Sequence, residues 1–137
     1  MPTAPSPEHA LRQARGWHTV RPGLALALSI HLEVDWVAQR THQLADRTGR
    51  PVSANGYWST GGAFAPHADT DDALILQVAG RRRWWLHPPV TGDDPPPPDR
   101  WHTLGPGDEL DLRAGWWHQA HTLSAESIHL TFTLHGD

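Results

Sequence analysis

Residues 127–134, Ser-Ile-His-Leu-Thr-Phe-Thr-Leu, alternate without a break: Ile128, Leu130, Phe132 and Leu134 fall on one side, and Ser127, His129, Thr131 and Thr133 on the other. A period of two marks an extended strand, whose successive side chains point to opposite faces. The apolar face seeks a core, while a face of His and Thr needs polar surroundings. Such a strand predicts a β-barrel or sandwich with a polar interior, and a functional site inside it.

Working outward, Asp108 to Leu112 also alternates, with Leu110 and Leu112 facing one way. Ala73 to Val78 is a short apolar run that ends at Gly80, and Arg82 to Leu86 reads as its return strand. Val52 to Ser59 and Leu24 to Ile30 are further candidate strands. From Glu33 to Thr48 the apolar Val34, Val37 and Leu44 share a helical face, with Glu33 and Asp35 in the first turn and Gly49 and Pro51 as the stop. Residues 88–98 end in four consecutive prolines and predict a rigid, extended connection. Residues 1–15, rich in Pro, Ala and charge, are expected to be a loose or partly helical lead-in, leaving 16–137 as a single domain. Many short strands, one substantial helix and frequent Gly/Pro turns make the chain mainly β.

Composition removes several classes of function. A length of 137 residues fits one core. The absence of cysteine excludes disulfides, iron–sulfur clusters and thiol nucleophiles. A net charge of −4 gives no whole-protein attraction to nucleic acid or an anionic membrane. Met1 to Arg15 holds no apolar run suited to a signal peptide, and no stretch reaches membrane length, so the cytoplasm is the expected compartment. Eleven histidines stand out, and their value depends on spacing.

The first informative spacing is Pro66-His67-Ala68-Asp69. On an extended segment, positions two apart share a side, so His67 and Asp69 present an imidazole and a carboxylate to one point. That pair is two-thirds of the 2-His-1-carboxylate arrangement, which leaves coordination positions open. A third donor lies in Gly107 to His118, where a strand runs into the Gly115 turn and His118 follows three residues later, projected back from a neighbouring strand. His121 competes for that role.

Gly107, Gly115 and His118 resemble the second motif of the cupin superfamily, and Gly61 to Gly80 resembles the first, with Ala73 where many members carry a Glu. The closer resemblance is to the Jumonji-C type ribosomal oxygenases, carried by residues 62–69, 76–84, 115–120 and 127–131 in order. It implies a double-stranded β-helix (a cupin or jelly-roll barrel) with one N-terminal helix packed outside. It also implies iron(II) held by His67, Asp69 and His118, with 2-oxoglutarate as co-substrate. The Gly115-x-x-His spacing of the motif favours His118 over His121. By the same resemblance Arg82, fifteen residues after His67, binds the distal carboxylate of 2-oxoglutarate, with Arg81 and Arg83 pointing outward. Asn55, in an Asn-x-Tyr element, is expected near co-substrate and substrate, and His129 is expected to hydrogen-bond co-substrate or ligand. The tryptophan pairs Trp84-Trp85 and Trp116-Trp117 read as packing, with Trp116 or Trp117 as a candidate pocket wall.

The match frays in three places. Arg113 replaces the motif's usual Pro, the span from Asp69 to His118 is short, and the larger relatives' dimerisation and winged-helix regions have no counterpart in these residues. The expected activity is therefore oxygenation of a small molecule, peptide or protein. The alternatives are a non-catalytic metal-binding cupin module and a cupin enzyme of other chemistry. Exposed edge strands or the tryptophan-rich surface are where a homodimer would form.

Overall fold

The strand read first lies at the centre of the molecule. The structure, a computed structural model, describes residues 6–61, 67–88 and 100–136. Ser127–Leu134 (β10) pairs antiparallel on one side with Val52–Ser59 (β3), from Ser127 against Ser59 to Leu134 against Val52. On its other side it pairs with Asp72–Ala79 (β5). His18–Arg21 (β1), Leu24–Ala27 (β2) and Glu109–Leu112 (β8) complete a six-stranded sheet in the order β1-β2-β3-β10-β5-β8. A second sheet runs β4-β9-β6-β7, built from His67–Ala68 (β4), Arg82–His87 (β6), Arg100–Leu104 (β7) and Trp117–Thr122 (β9). The two sheets face each other as the implied double-stranded barrel.

The alternation of β10 decides how the layers pack. Its apolar face, Ile128, Leu130 and Phe132, points away from the second sheet and is fully buried under Leu11, Ile30, Val37 and Leu44. Those residues come from two helices, Pro7–Arg12 (α1) and Asp35–Thr48 (α2), and from a short 3-10 turn at Ile30–Leu32. Val37, Thr41 and Leu44 recur at helical spacing on the buried side of α2, and Gly49 closes it in a left-handed conformation with its N–H on the Ala45 carbonyl. The polar face of β10 points between the sheets, as expected. The interior is not uniformly polar, however: Ile75, Trp84, Leu86, Leu104, Leu110 and Leu112 form a second apolar cluster there.

Several expectations need correction. Of the two readings of the 1–15 lead-in, its described part takes the partly helical one. Ser6 caps α1 by accepting the His9 N–H, Leu11 is 0% exposed, and Trp17 donates its indole N–H to the Leu11 carbonyl. Arg12 pairs with Glu126, so two helices, not one, cover the large sheet. A six-residue helix is too short to persist alone; burial of Leu11 holds it in place. Glu33 lies outside α2, where its carboxylate accepts the backbone N–H groups of Arg15 and Gly16. The Leu24–Ile30 strand stops at Ala27, because Ser29 adopts a left-handed conformation and the chain turns. The proline run lies outside the described residues. Among the described residues no helix is long and apolar enough to cross a membrane.

Candidate metal centre

Strand β4 is only two residues long, and its pairing sets the site. His67 lies in register with His118 on β9, and Ala68 with Trp117. The two imidazoles are therefore cross-strand neighbours on the inner face, with ring centroids 4.2 Å apart. Asp69 follows on the same side. Its Oδ1 is 3.8 Å from His67 Nε2 and its Oδ2 is 3.5 Å from His118 Nε2. One donor atom from each of the three residues lies within 4.8 Å of the others. The turn from Arg113 to Trp116 is tied to the Asp69 segment by two bonds: Gly115 N–H donates to the Asp69 carbonyl at 3.0 Å, and Ala114 N–H to Asp72 Oδ1 at 2.8 Å. Arg50 clamps Asp72 in turn.

The three donors differ in setting. The side chain of His118 is 7% exposed, those of His67 and Asp69 56% and 49%. Burial, and then the neighbouring His67, hold His118 below the usual imidazole range, so its neutral form is favoured. Its Nδ1 is 3.3 Å from the Trp116 carbonyl, so an Nδ1–H there donates to that oxygen and leaves the Nε2 lone pair directed at Asp69. Two imidazoles and one carboxylate at these distances are a donor set that suits a divalent first-row metal with open positions. His121 is three residues from His118 on an alternating strand, so it faces outward and is exposed, across from Arg83.

These residues open into a cavity of about 140 Å³. That is below the ~300–1,000 Å³ of a drug-sized pocket, so it suits a small molecule or part of a larger one. Arg82 also lines it and is 1% exposed. Gly80 brings it there: with φ of 70° and the Glu126 carbonyl oxygen where a Cβ would stand, no side chain fits that turn without movement. Arg82 Nη1 donates to Ser59 Oγ at 2.6 Å and to Thr122 Oγ1 at 3.2 Å. Burial lowers its pKa to about 10, which leaves it a cation at neutral pH. A buried guanidinium held by neutral hydroxyls is suited to an anionic ligand. Arg83 lies on the outer face against Trp101, and Arg81 is exposed, as expected.

His129 is 3% exposed and lies parallel to Tyr57, with centroids 4.7 Å apart. Trp84 stands edge-on to it at 5.1 Å. Burial, then Arg82 and His118, push His129 well below the usual imidazole range, so the ring is neutral. Burial and then the Asp69 charge raise the Tyr57 pKa, which keeps its hydroxyl protonated. Asn55, expected near the co-substrate, does not line the cavity. Its side-chain oxygen accepts the Ser29 N–H at 3.0 Å. Neither Trp116 nor Trp117 walls the cavity; Trp84 does. Sequence reasoning therefore missed Ser59 and Thr122 and read Trp84 as packing, whereas Tyr57 belongs to the Asn-x-Tyr element already noted. Parity offered the signal, since Tyr57 and Ser59 share the Asn55 face and Trp84 shares the Arg82 face. Residues 62–66 of the run resembling the oxygenases lie outside the described residues.

Comparison with known proteins gives the family and the fold. A model of the JmjC domain family matches residues 25–137. Among solved structures the chain is similar to YcfD, a ribosomal oxygenase from Escherichia coli in complex with cobalt and 2-oxoglutarate, at 22% identity and TM-score 0.73, covering 83% of this chain and 32% of that one. Another structure of E. coli ycfD gives 20% identity and TM-score 0.75 over 83% and 34%. KdgF from Halomonas sp. gives 18% identity and TM-score 0.60 over 88% of both chains. The chain spans about a third of the YcfD length, and likeness at this identity is a likeness of fold. No curated protein matches the chain.

Proposed function

Because this chain belongs to the JmjC domain family, we propose that it is an iron(II)- and 2-oxoglutarate-dependent oxygenase. The observation that carries the reading is the His67–Asp69–His118 cluster opening into the same cavity as the buried Arg82. YcfD, whose fold it shares, has been solved with cobalt and 2-oxoglutarate and with cobalt and succinic acid, which supports the same pair of ligands here.

His67 and His118 would hold the metal through Nε2, with Asp69 as the carboxylate donor. When bound there, iron(II) with 2-oxoglutarate supplies activation of dioxygen, inserting one oxygen atom into a C–H bond and the other into the succinate formed with carbon dioxide. Asp69 offsets part of the cation's charge and orients both imidazoles. Arg82 receives the distal carboxylate, its guanidinium already fixed by Ser59 and Thr122. Ile75 and Leu112 line the walls between and exclude water. The exposed side of His67 and Asp69 is where a substrate would present its C–H bond, whether as a small molecule or as a residue of a peptide or protein.

Anaerobic titration with iron(II) and then 2-oxoglutarate tests this. A weak visible charge-transfer band should appear in the wild type and be absent in Arg82→Ala. Metal uptake without that band, and without 2-oxoglutarate consumption in air, would instead favour a metal-binding module without turnover.

A further inference from the structure

A net charge of −4 conceals an uneven distribution. The four strands of the small sheet contain three arginines and five histidines, and no Asp or Glu. The carboxylates of the described strands, Asp72, Glu109 and Asp111, all belong to the large sheet. Arginines on that side are matched: Arg12 by Glu126, Arg40 by Glu109 and Arg50 by Asp72. Among the described residues no carboxylate pairs with Arg81 or Arg83. Strand register decides what stands beside them. Arg83 is opposite Thr103 on one side and His121 on the other, and Trp85, two residues further along β6, is opposite Trp101. Opposed residues share a face, so two indoles and two polar side chains join Arg83 on the side turned away from the cavity. Trp101 is 58% exposed, a large apolar ring left in water. Arg83 is held against it, its guanidinium carbon 4.7 Å from the ring centroid and its Nε donating to Thr103 Oγ1 at 3.2 Å. Arg81 is exposed and lies two residues back, about 7 Å along an extended chain.

We propose that this outer face of the small sheet binds single-stranded nucleic acid, with phosphates on Arg81 and Arg83 and bases stacked on Trp101 and Trp85. The inference is independent of the oxygenase reading, since it uses the opposite face of the sheet. Charge complementarity calls for an anionic partner, and exposed indoles beside fixed guanidinium groups call for one with flat rings. A single strand supplies both, phosphate and base alternating along one chain. A second copy of this chain would set arginine against arginine. An acidic peptide would engage the arginines and leave the indoles in water. A duplex hides the faces of its bases, so it would engage the arginines alone. Stacking tolerates any base, so RNA and DNA strands should bind alike.

Fluorescence anisotropy of labelled oligouridylate and oligothymidylate strands, titrated with the full chain at low salt, tests this. Both should bind, more tightly than a duplex of equal length. With two phosphates neutralised, the slope of log affinity against log salt should be about −1.4. Trp101→Ala should weaken binding about tenfold. Arg83→Gln should weaken it too and bring the slope to about −0.7. Arg47→Gln, an exposed arginine on α2, should change neither. Circular dichroism checks that each variant is folded, and should Trp101→Ala not fold, the salt slope of Arg83→Gln decides. The proposal is overturned if the wild type binds no strand, if the duplex binds as well, or if Arg47→Gln loses as much as Arg83→Gln. Folded Trp101→Ala binding as tightly as wild type would overturn it also. Binding of polyglutamate or of phosphatidylserine vesicles in preference to either strand would assign the face to an acidic protein segment or to a membrane instead.

Discussion

His67 and His118 face each other across a strand pair two residues deep, their rings 4.2 Å apart and Asp69 beside both. Two imidazoles and a carboxylate this close gain from a shared cation. Adding Mn(II) or Co(II) at about a hundredfold over Kd should therefore stabilise the fold by about 2.7 kcal/mol. Differential scanning fluorimetry should show this as a rise in Tm of roughly 5–10 °C. His118→Ala and Asp69→Ala should abolish the shift, and His121→Ala should leave it intact. A shift that disappears with His121 instead would refute the assignment.

Arg82 meets its proposed anion with a planar fork, so charge alone should not replace it. Arg82→Lys should weaken 2-oxoglutarate binding about tenfold, and Arg82→Met about a hundredfold or more. Metal affinity should change little in either. Calorimetry with and without the acid reads both quantities, and equal affinities for the Lys variant and wild type would contradict the fork.

The turn before Arg82 is sterically closed. Gly80→Ala adds a Cβ that would overlap the Glu126 carbonyl oxygen, on a backbone with φ of 70°. Gly107 has φ of 90°, but nothing stands within 4 Å of a Cβ placed there. Gly107→Ala should therefore cost about 1–2 kcal/mol from backbone strain alone. Gly80→Ala should cost about 3 kcal/mol or more. Urea unfolding of the two variants measures the difference.

Two carboxylates tie distant segments together. Asp72 is held below the usual range first by the Ala114 N–H and then by Arg50, and Glu126 first by Arg12 and then by the Trp58 indole. A depressed folded pKa adds stability that is complete above the unfolded carboxyl range and is lost as pH falls through the folded value. The urea midpoint should thus decline below about pH 4.5. Part of that decline should vanish in Glu126→Gln. Because the two side chains are 30% and 39% exposed, each contribution should stay under about 1 kcal/mol. Asp72→Asn should also loosen the turn beside Asp69 and weaken metal binding.

Leu11 joins α1 to the large sheet. Leu11→Ala should cost about 2–4 kcal/mol in urea unfolding, with metal affinity retained, because the inner face of the sheet is untouched. An unchanged midpoint would mean that α1 is not docked in solution.

How much the sequence reveals depends on contrast. β3 and β10 are legible to the residue because their neighbours on each face differ in polarity. β9 is marked only by His118 after the Gly115 turn and its extent is not, because Ala120 and Thr122 carry little apolar signal, and β1 escapes notice because all four of its residues are exposed. The cluster of His67, Asp69 and His118 is legible as a pattern of two residues plus one across a Gly turn. Ser59 and Thr122 are not, since their roles depend on which strands become neighbours. The partner of Asn55 is hidden for the same reason: Ser29 is supplied by a turn whose composition mimics a strand.

The gradient of exposure across the cavity, from 56% at the His67 side chain to 1% at Arg82, gives the chamber a direction. Two residues of the candidate metal cluster, His67 and Asp69, stand on its threshold, while the Arg82 guanidinium lies at its floor. On the proposed reading, an organic acid entering past that threshold would pass the ion before it reached the arginine, so order of addition would become a kinetic property of the fold. An ion seated first narrows the doorway, and an acid seated first brings its own oxygens to the place where the ion must arrive.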